Sequence, residues 1–263
     1  PVVLPRWRFG RWIPAFVIAL VFASVVAFDD GTDILLQLMK VATVWVLVAW
    51  RREIRFPWVL QGLALGLLAL LVGIPMKNNG VVSEAVFYLL PLFVPPMYVA
   101  GGLLFDRTHL GGIQLRARGP GKAVKSFLWG CLLFLPLGVF NVMDGPMDFD
   151  MGWVTEWWMP LALPWFSGIT EEAWFRLFLM GLCFFLLRPT FRSRPALAVV
   201  ATVLFSGITF GLGHGRDLET FLTTGLLYGV PMAAVFARRD WEHAVGAHYI
   251  INMLPWVAAY LAT

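Results

Sequence analysis

The chain has 263 residues, of which 59% are hydrophobic and 14% are charged, and its mean hydropathy is +0.76. Soluble domains average about 45–50% apolar and about 25% charged residues, so this composition excludes a disordered chain, a coiled coil and nearly every soluble fold. It predicts a polytopic membrane protein, and the 13 Trp and 22 Phe residues fit aromatic belts at two membrane interfaces.

Nine apolar segments are long enough to be considered as membrane spans, since a bilayer core of about 30 Å needs about 20 apolar residues. They cover residues 13–28, 34–50, 58–75, 82–105, 124–143, 158–187, 196–213, 218–237 and 241–262. No alternating β pattern recurs. We therefore predict an all-α bundle of about eight to nine transmembrane helices. The first segment has features of a signal peptide, but we expect it to be a retained helix.

The connections between these segments alternate in charge. Basic residues dominate one set: Arg6, Arg8, Arg11; Arg51, Arg52, Arg55; Arg107, Arg116, Arg118, Lys122, Lys125; Arg188, Arg192, Arg194; Arg238, Arg239. The other set is mostly acidic, with Asp29, Asp30, Asp33, Asp144, Asp148, Asp150 and Glu156, besides Lys77, Arg216, Asp217 and Glu219. The positive-inside rule then predicts a multi-pass cell-membrane protein with a cytoplasmic N-terminus. It also accounts for the basic pI of 9.4 without a nucleic-acid partner.

Ionisable residues within a membrane span are costly and are functional candidates by default. Glu171 and Glu172 are adjacent in an apolar run, and Arg176 follows Glu172 at i+4, the better orientation for an intrahelical ion pair. Glu171 has Phe175 at i+4 instead, so we expect it either to have a raised pKa or to find a partner on another helix. A purely structural role, in which both glutamates hold helices together, remains an alternative.

Two histidines follow in later spans. His214 lies among Gly211, Gly213 and Gly215, where a backbone or ligand can approach closely. His248 and Asn252 are one turn apart on one helix face. An imidazole and an amide can stabilise an oxyanion, although a polar clasp between helices is the alternative.

Glu171, His214, His248 and Asn252 could together form a site that activates water. Two His and one Glu could instead hold zinc. The two cysteines, Cys131 and Cys183, lie in apolar runs and form no zinc or disulfide framework. The sequence contains no H-E-x-x-H or G-x-S-x-G motif.

The motifs Glu171-Glu172-x-x-x-Arg176, Phe210-x-x-x-His214 and His248-x-x-x-Asn252 resemble, in order and spacing, the signatures of the CPBP family. This family includes type II CAAX prenyl endopeptidases, bacteriocin-processing and self-immunity proteins, and abortive-infection proteins. The resemblance covers residues 158–262. It divides the chain into N-terminal helices (1–157) without a recognised motif and a catalytic four-helix core (158–263).

The resemblance implies a bacterial intramembrane endopeptidase of the glutamic type, in which Glu171 and His214 activate water. His248 and Asn252 would form the oxyanion hole, Glu172 and Arg176 would support the site, and no metal or other cofactor would be needed. Zinc is the alternative, because family members are often labelled metalloproteases. The implied partners are membrane lipids and a protein or peptide with a C-terminal membrane-associated segment. A non-catalytic immunity protein and a proton-coupled transporter using Glu171 remain alternative functions.

The predicted spans place the candidate residues at different depths in the membrane. Glu171 and His214 fall towards the non-cytoplasmic ends of their spans, which suggests a site that opens away from the cytoplasm. His248, however, lies only seven residues, or about 10 Å of helix, after Trp241. This spacing places His248 nearer the cytoplasmic face than its proposed partners.

Overall fold

A computed structural model describes residues 12–27, 31–143 and 152–262, and the regular elements within these ranges are all helical. The acidic residues Asp29, Asp30, Asp144, Asp148 and Asp150, on which part of the predicted charge alternation rests, lie outside the described residues, as do Arg6, Arg8 and Arg11. The first half contains α1 (Ile13–Ala27), α2 (Gly31–Ala49), α3 (Phe56–Asn78), α4 (Glu84–Thr108), α5 (Gln114–Arg118) and α6 (Pro120–Met143).

The second half begins with a long interrupted helix. It consists of α7 (Met159–Ala162), α8 (Pro164–Glu171), a π-helical stretch (Glu172–Met180) and α9 (Gly181–Leu187). There follow α10 (Pro195–Leu212), α11 (Leu218–Thr220), a second π-helical stretch (Phe221–Gly229), α12 (Val230–Arg238) and α13 (Trp241–Ala262). Prolines stand in the first turns of α7, α8 and α10. The N–H groups of a first turn make no hydrogen bond within the helix, so the missing N–H of proline breaks none there.

Within the described residues, six helical segments are long and apolar enough to cross a membrane: Phe56–Asn78, Glu84–Thr108, Pro120–Met143, Pro195–Leu212, Leu218–Arg238 and Trp241–Ala262. The all-α membrane fold is thus confirmed, whereas the predicted count of eight to nine spans is not. Helix α1 has only 15 residues, and the apolar part of α2 is limited to Ile34–Ala49. The helix from α7 to α9 is interrupted by the π-helical stretch, which carries Glu172 and Arg176.

Helix α6 presents a continuous apolar surface to its surroundings. Exposed side chains along it include Val124, Leu128, Leu132, Val139 and Phe140. A soluble monomer rarely exposes an apolar surface of this extent, whereas lipid tails accept it without cost. The exposed face of α6 is therefore a lipid-facing surface.

Helices α6 and α13 pack at close backbone distance through glycines. A Cβ added to Gly130 would lie 2.2 Å from the carbonyl oxygen of His243, and one added to Gly246 would lie 2.1 Å from that of Phe127. Small residues permit such approach in membrane bundles, where dispersion contacts replace the hydrophobic driving force. This packing holds α13, which carries His248, against the lipid-facing helix.

Helix α10 packs in a similar way on the π-helical stretch Phe221–Gly229. A Cβ on Gly211 would lie 2.5 Å from the Cα of Gly225, and one on Gly229 would lie 2.6 Å from the carbonyl oxygen of Gly207. Each helix contributes two glycines four residues apart, the small-xxx-small arrangement of membrane helix pairs. The end of α10, just before His214, is thereby fixed in position.

Helix α13 begins inside the bundle. Trp241 is 2% exposed, and its backbone N–H donates to the carbonyl oxygen of Gly112 at 2.8 Å. The Glu242 carboxylate accepts hydrogen bonds from the backbone N–H groups of Gln114 and Leu115, at 2.9 and 2.7 Å. Helix α5 and the turn before it therefore cover the start of α13.

Candidate functional site

Glu171 and Glu172 lie where the regular α-helix changes to π-helical turns. Glu171 is the last residue of α8, and Glu172 is the first of the π-helical stretch. Such widened turns are rare in proteins overall, and those that occur are often found at functional sites. The Glu172 side chain is fully buried, whereas the Glu171 side chain is 18% exposed.

Glu172 forms the buried centre of a charged group. Its Oε1 lies 3.0 Å from Nη1 of Arg176, with both side chains fully buried, so the predicted i,i+4 pairing is confirmed. The same oxygen accepts a hydrogen bond from Nδ1 of His248 at 2.8 Å. The sequence did not indicate this second contact, because it joins residues 76 positions apart on helices whose packing is not encoded in either motif.

Arg176 has additional partners that hold its guanidinium in place. Nη2 donates to the carbonyl oxygen of Gly229 at 3.3 Å. The guanidinium also lies over the ring of Phe210, with 4.1 Å between its carbon and the ring centroid, a favourable cation–π geometry. A buried charge requires such compensation, so Arg176 links the π-helical stretch, α10 and the end of the second π-helical stretch.

His214 follows the end of α10 and faces Glu171. Its Nδ1 lies 2.8 Å from the carbonyl oxygen of Phe210. A carbonyl oxygen only accepts hydrogen bonds, so this nitrogen carries the proton. Nε2 is thus directed at Oε2 of Glu171, 3.5 Å away. The His214 side chain is 41% exposed, which makes it the part of the group most accessible from outside the bundle.

His248 approaches the same glutamate oxygen. Its Nε2 lies 3.8 Å from Oε2 of Glu171, while Nδ1 is held by Glu172. Two imidazole Nε2 atoms therefore converge on Glu171 Oε2, which is buried and has no hydrogen-bond partner. The partner that we expected for Glu171 on another helix is thus a pair of histidines from two different helices.

Asn252 makes a different contact from the other predicted residues. Its amide Nδ2 donates to the hydroxyl oxygen of Ser167 at 2.8 Å, across the interface between α13 and α8. Ser167, one turn before Glu171, was not predicted from the sequence; a hydroxyl four residues before a candidate glutamate was the only available signal. Asn252 thereby ties the helix of His248 to the helix of Glu171.

The connection beside His214 is polar and charged. Asp217 caps the start of α11 and accepts hydrogen bonds from the backbone N–H and the hydroxyl of Thr220, at 2.8 and 2.7 Å. The backbone hydrogen bond from Thr220 holds the pKa of the Asp217 carboxyl below its usual range, so this group stays ionised near the open end of the site.

The chemistry of two imidazoles and a carboxylate suits zinc in principle. However, no group of three or more His, Cys, Asp or Glu side chains in residues 12–27, 31–143 and 152–262 is arranged to hold a metal ion. Cys183 is buried and Cys131 is half-buried, and both are free thiols. The metal-free site stays a prediction.

The described chain is therefore a helical membrane protein with two buried or half-buried glutamates and two histidines at the meeting point of three helices. Residues 153–254 match the family described as type II CAAX prenyl endopeptidase Rce1-like, a family of membrane CAAX-type proteases. The match spans all three motifs and confirms the resemblance to the CPBP family. No curated protein and no solved structure gives a significant match.

Proposed function

We propose that the protein is an intramembrane endopeptidase of the glutamic type, which hydrolyses a peptide bond near a membrane-associated C-terminal segment. The observation that carries this proposal is the convergence of two histidine Nε2 atoms on Oε2 of Glu171, at 3.5 and 3.8 Å. This oxygen lies at the edge of the buried charged group, next to the exposed side chain of His214. Although this oxygen is itself buried, the Glu171 side chain is 18% exposed, so water has access to the carboxylate group from that side.

In the proposed reaction, Glu171 accepts a proton from water while the water oxygen attacks the peptide carbonyl carbon. His214 orients the water through Nε2. When the C–N bond breaks, Glu171 returns the proton to the leaving amine, so protons balance over the cycle. Acid–base catalysis of this kind contributes about 10²–10⁴-fold to rate.

His248 has the oxyanion role in this proposal. Nδ1 of His248 donates a hydrogen bond to Glu172, so the proton of a neutral ring lies on Nδ1. Nε2 can therefore donate to an oxyanion only when the ring is an imidazolium. The contact with Glu172 fixes the orientation of the ring. Asn252 is the second proposed donor; its amide would exchange its Ser167 contact for the oxyanion.

The substrate class is a protein or peptide with a C-terminal membrane-associated segment, and the proposed location is the cell membrane. The test is mass spectrometry of membrane proteins from cells that contain the wild type or Glu171→Ala. We expect a new C-terminus on at least one membrane protein with the wild type only. Identical C-termini in both samples would favour the non-catalytic immunity protein, and proton flux lost in Glu171→Ala would favour the transporter.

We predict that catalysis does not depend on a transition metal. The physical reason is that Glu171 and His214 can polarise water directly, without a Lewis acid. Treatment of the purified protein with a strong chelator should leave turnover unchanged, and elemental analysis should find no stoichiometric zinc. Turnover that is lost to the chelator and restored by zinc alone would make the site a metalloprotease.

We predict that the site opens on the non-cytoplasmic side of the membrane. The reason is that α10 carries Arg192 and Arg194 before its start and His214 after its end, and basic connections remain on the cytoplasmic side. Single cysteines at Glu219 and at Arg118, both exposed, should react differently with a membrane-impermeant thiol reagent on intact cells. Labelling at 219 but not at 118 is expected, after Cys131 and Cys183 are replaced; the reverse pattern contradicts the prediction.

A further inference from the structure

A cavity of about 530 Å³ lies at the basic end of the bundle and is lined by none of the proposed catalytic residues. Its volume is in the range of small-molecule sites. The lining combines four cations with two apolar side chains and includes no carboxylate: Arg118, Lys122, Lys125, Arg239, Trp129 and Leu133. The cations come from α5, from the first turns of α6 and from the connection between α12 and α13. The folded chain therefore assembles this cluster from three separate places in the sequence.

None of the four cations forms an ion pair with a carboxylate in the described parts of the chain. Asp240, next to Arg239, is buried and accepts hydrogen bonds from Gln114, Ser126 and His243. These interactions hold Asp240 within the protein, so the cavity can accept an anion.

The cavity changes from charged to apolar along one face of α6. Lys125, Trp129 and Leu133 are spaced four residues apart, so they lie on the same face over about 12 Å. Trp129 is 53% exposed and Leu133 is 60% exposed, on the lipid-facing surface of α6. A second, smaller cavity of about 320 Å³ shares Lys125 and Trp129. A ligand that fits this gradient has an anionic head and an apolar tail parallel to the helix.

We propose that this cavity is a binding site for an anionic phospholipid. The phosphate group contacts Arg118, Lys122, Lys125 and Arg239, and an acyl chain lies along Trp129 and Leu133. Basic pockets between membrane helices on the cytoplasmic side bind lipid headgroups by this combination of charge and apolar contact. A soluble phosphate compound shares the headgroup chemistry but leaves the apolar end without a partner.

Native mass spectrometry of the purified full chain tests this proposal, with phosphatidylglycerol and phosphatidylcholine of identical acyl chains as probes. We expect saturable binding of phosphatidylglycerol and weaker binding of phosphatidylcholine. The triple variant Lys122→Gln, Lys125→Gln, Arg239→Gln should bind phosphatidylglycerol about 100-fold more weakly. The matched control Arg51→Gln, Arg52→Gln, Arg194→Gln removes the same charge from exposed basic connections outside the cavity, and it should bind like the wild type.

Two further measurements separate the alternatives. The variant Trp129→Ala, Leu133→Ala retains all four cations and should also bind phosphatidylglycerol more weakly, which keeps the test valid if the triple variant does not fold. Glycerol phosphate at millimolar concentration should not displace the lipid. Equal binding of both lipids, equal losses in the cavity and control triple variants, or full displacement by glycerol phosphate would each overturn the proposal.

Discussion

Glu171→Gln is expected to abolish proteolysis while the protein remains folded and inserted in the membrane. Glutamine has the size of glutamate and still forms hydrogen bonds, but it cannot accept a proton from water. The loss of a general base typically costs about 10²–10⁴-fold in rate. Glu171 Oε2 faces two histidine Nε2 atoms at 3.5 and 3.8 Å, and a glutamine amide at the same place keeps a polar group beside both rings, so we expect the fold to be retained. Turnover of a peptide substrate by the purified variant, together with its thermal midpoint in detergent, is the measurement.

Glu219→Gln is the matched control for this experiment. It makes the same chemical change at an exposed glutamate five residues after His214, outside the proposed catalytic group. The control should retain wild-type turnover, which separates the loss of a general base from the loss of negative charge near the site. Wild-type turnover by Glu171→Gln would remove Glu171 from the catalytic assignment.

Glu172→Ala is expected to destabilise the protein in addition to reducing its activity. Both Glu172 and Arg176 are fully buried, so the variant leaves a buried guanidinium without its counterion. Breaking one side of a buried ion pair costs about 3–5 kcal/mol. His248 loses the acceptor of its Nδ1 proton in the same step, so its ring is no longer held in position. We expect a clearly lower thermal midpoint in detergent and poor expression.

The double variant Glu172→Ala, Arg176→Met separates these two effects. Methionine removes the unpaired charge and fills part of the space of the arginine, so a part of the lost stability should return. Turnover should not return, because His248 still lacks its carboxylate partner. A double variant that is no more stable than Glu172→Ala would contradict the role of the Glu172–Arg176 pair, and a double variant with wild-type turnover would contradict the role of the Glu172–His248 contact.

Much of the local structure follows from the sequence alone. Composition and the lengths of the apolar segments predict an all-helical membrane protein, since an apolar helix satisfies its own backbone hydrogen bonds. The pairing of Glu172 with Arg176 also follows, because residues at i and i+4 meet on any helix of regular form. The three motifs led to the CPBP resemblance, which the family match over residues 153–254 confirms.

Tertiary packing decided the contacts between these motifs. Glu172 meets His248 and Asn252 meets Ser167, although these pairs are 76 and 85 residues apart. Neither contact has a local sequence signal, because both depend on how close two helices approach. At the interface between α8 and α13, Gly168 lies against the backbone of α13, where a Cβ added to it would lie 3.7 Å from the carbonyl oxygen of Val245.

The burial of the start of α13 was likewise decided by the fold. In the sequence Trp241 begins the last predicted span, just after the basic pair Arg238 and Arg239. In the structure Trp241 is buried, because α5 and the turn before it fold back over the start of α13 through Gly112, Gln114 and Leu115. Composition and periodicity determine which segments are helices, but a helix's position along the bundle depends on which distant backbone groups satisfy its first turn.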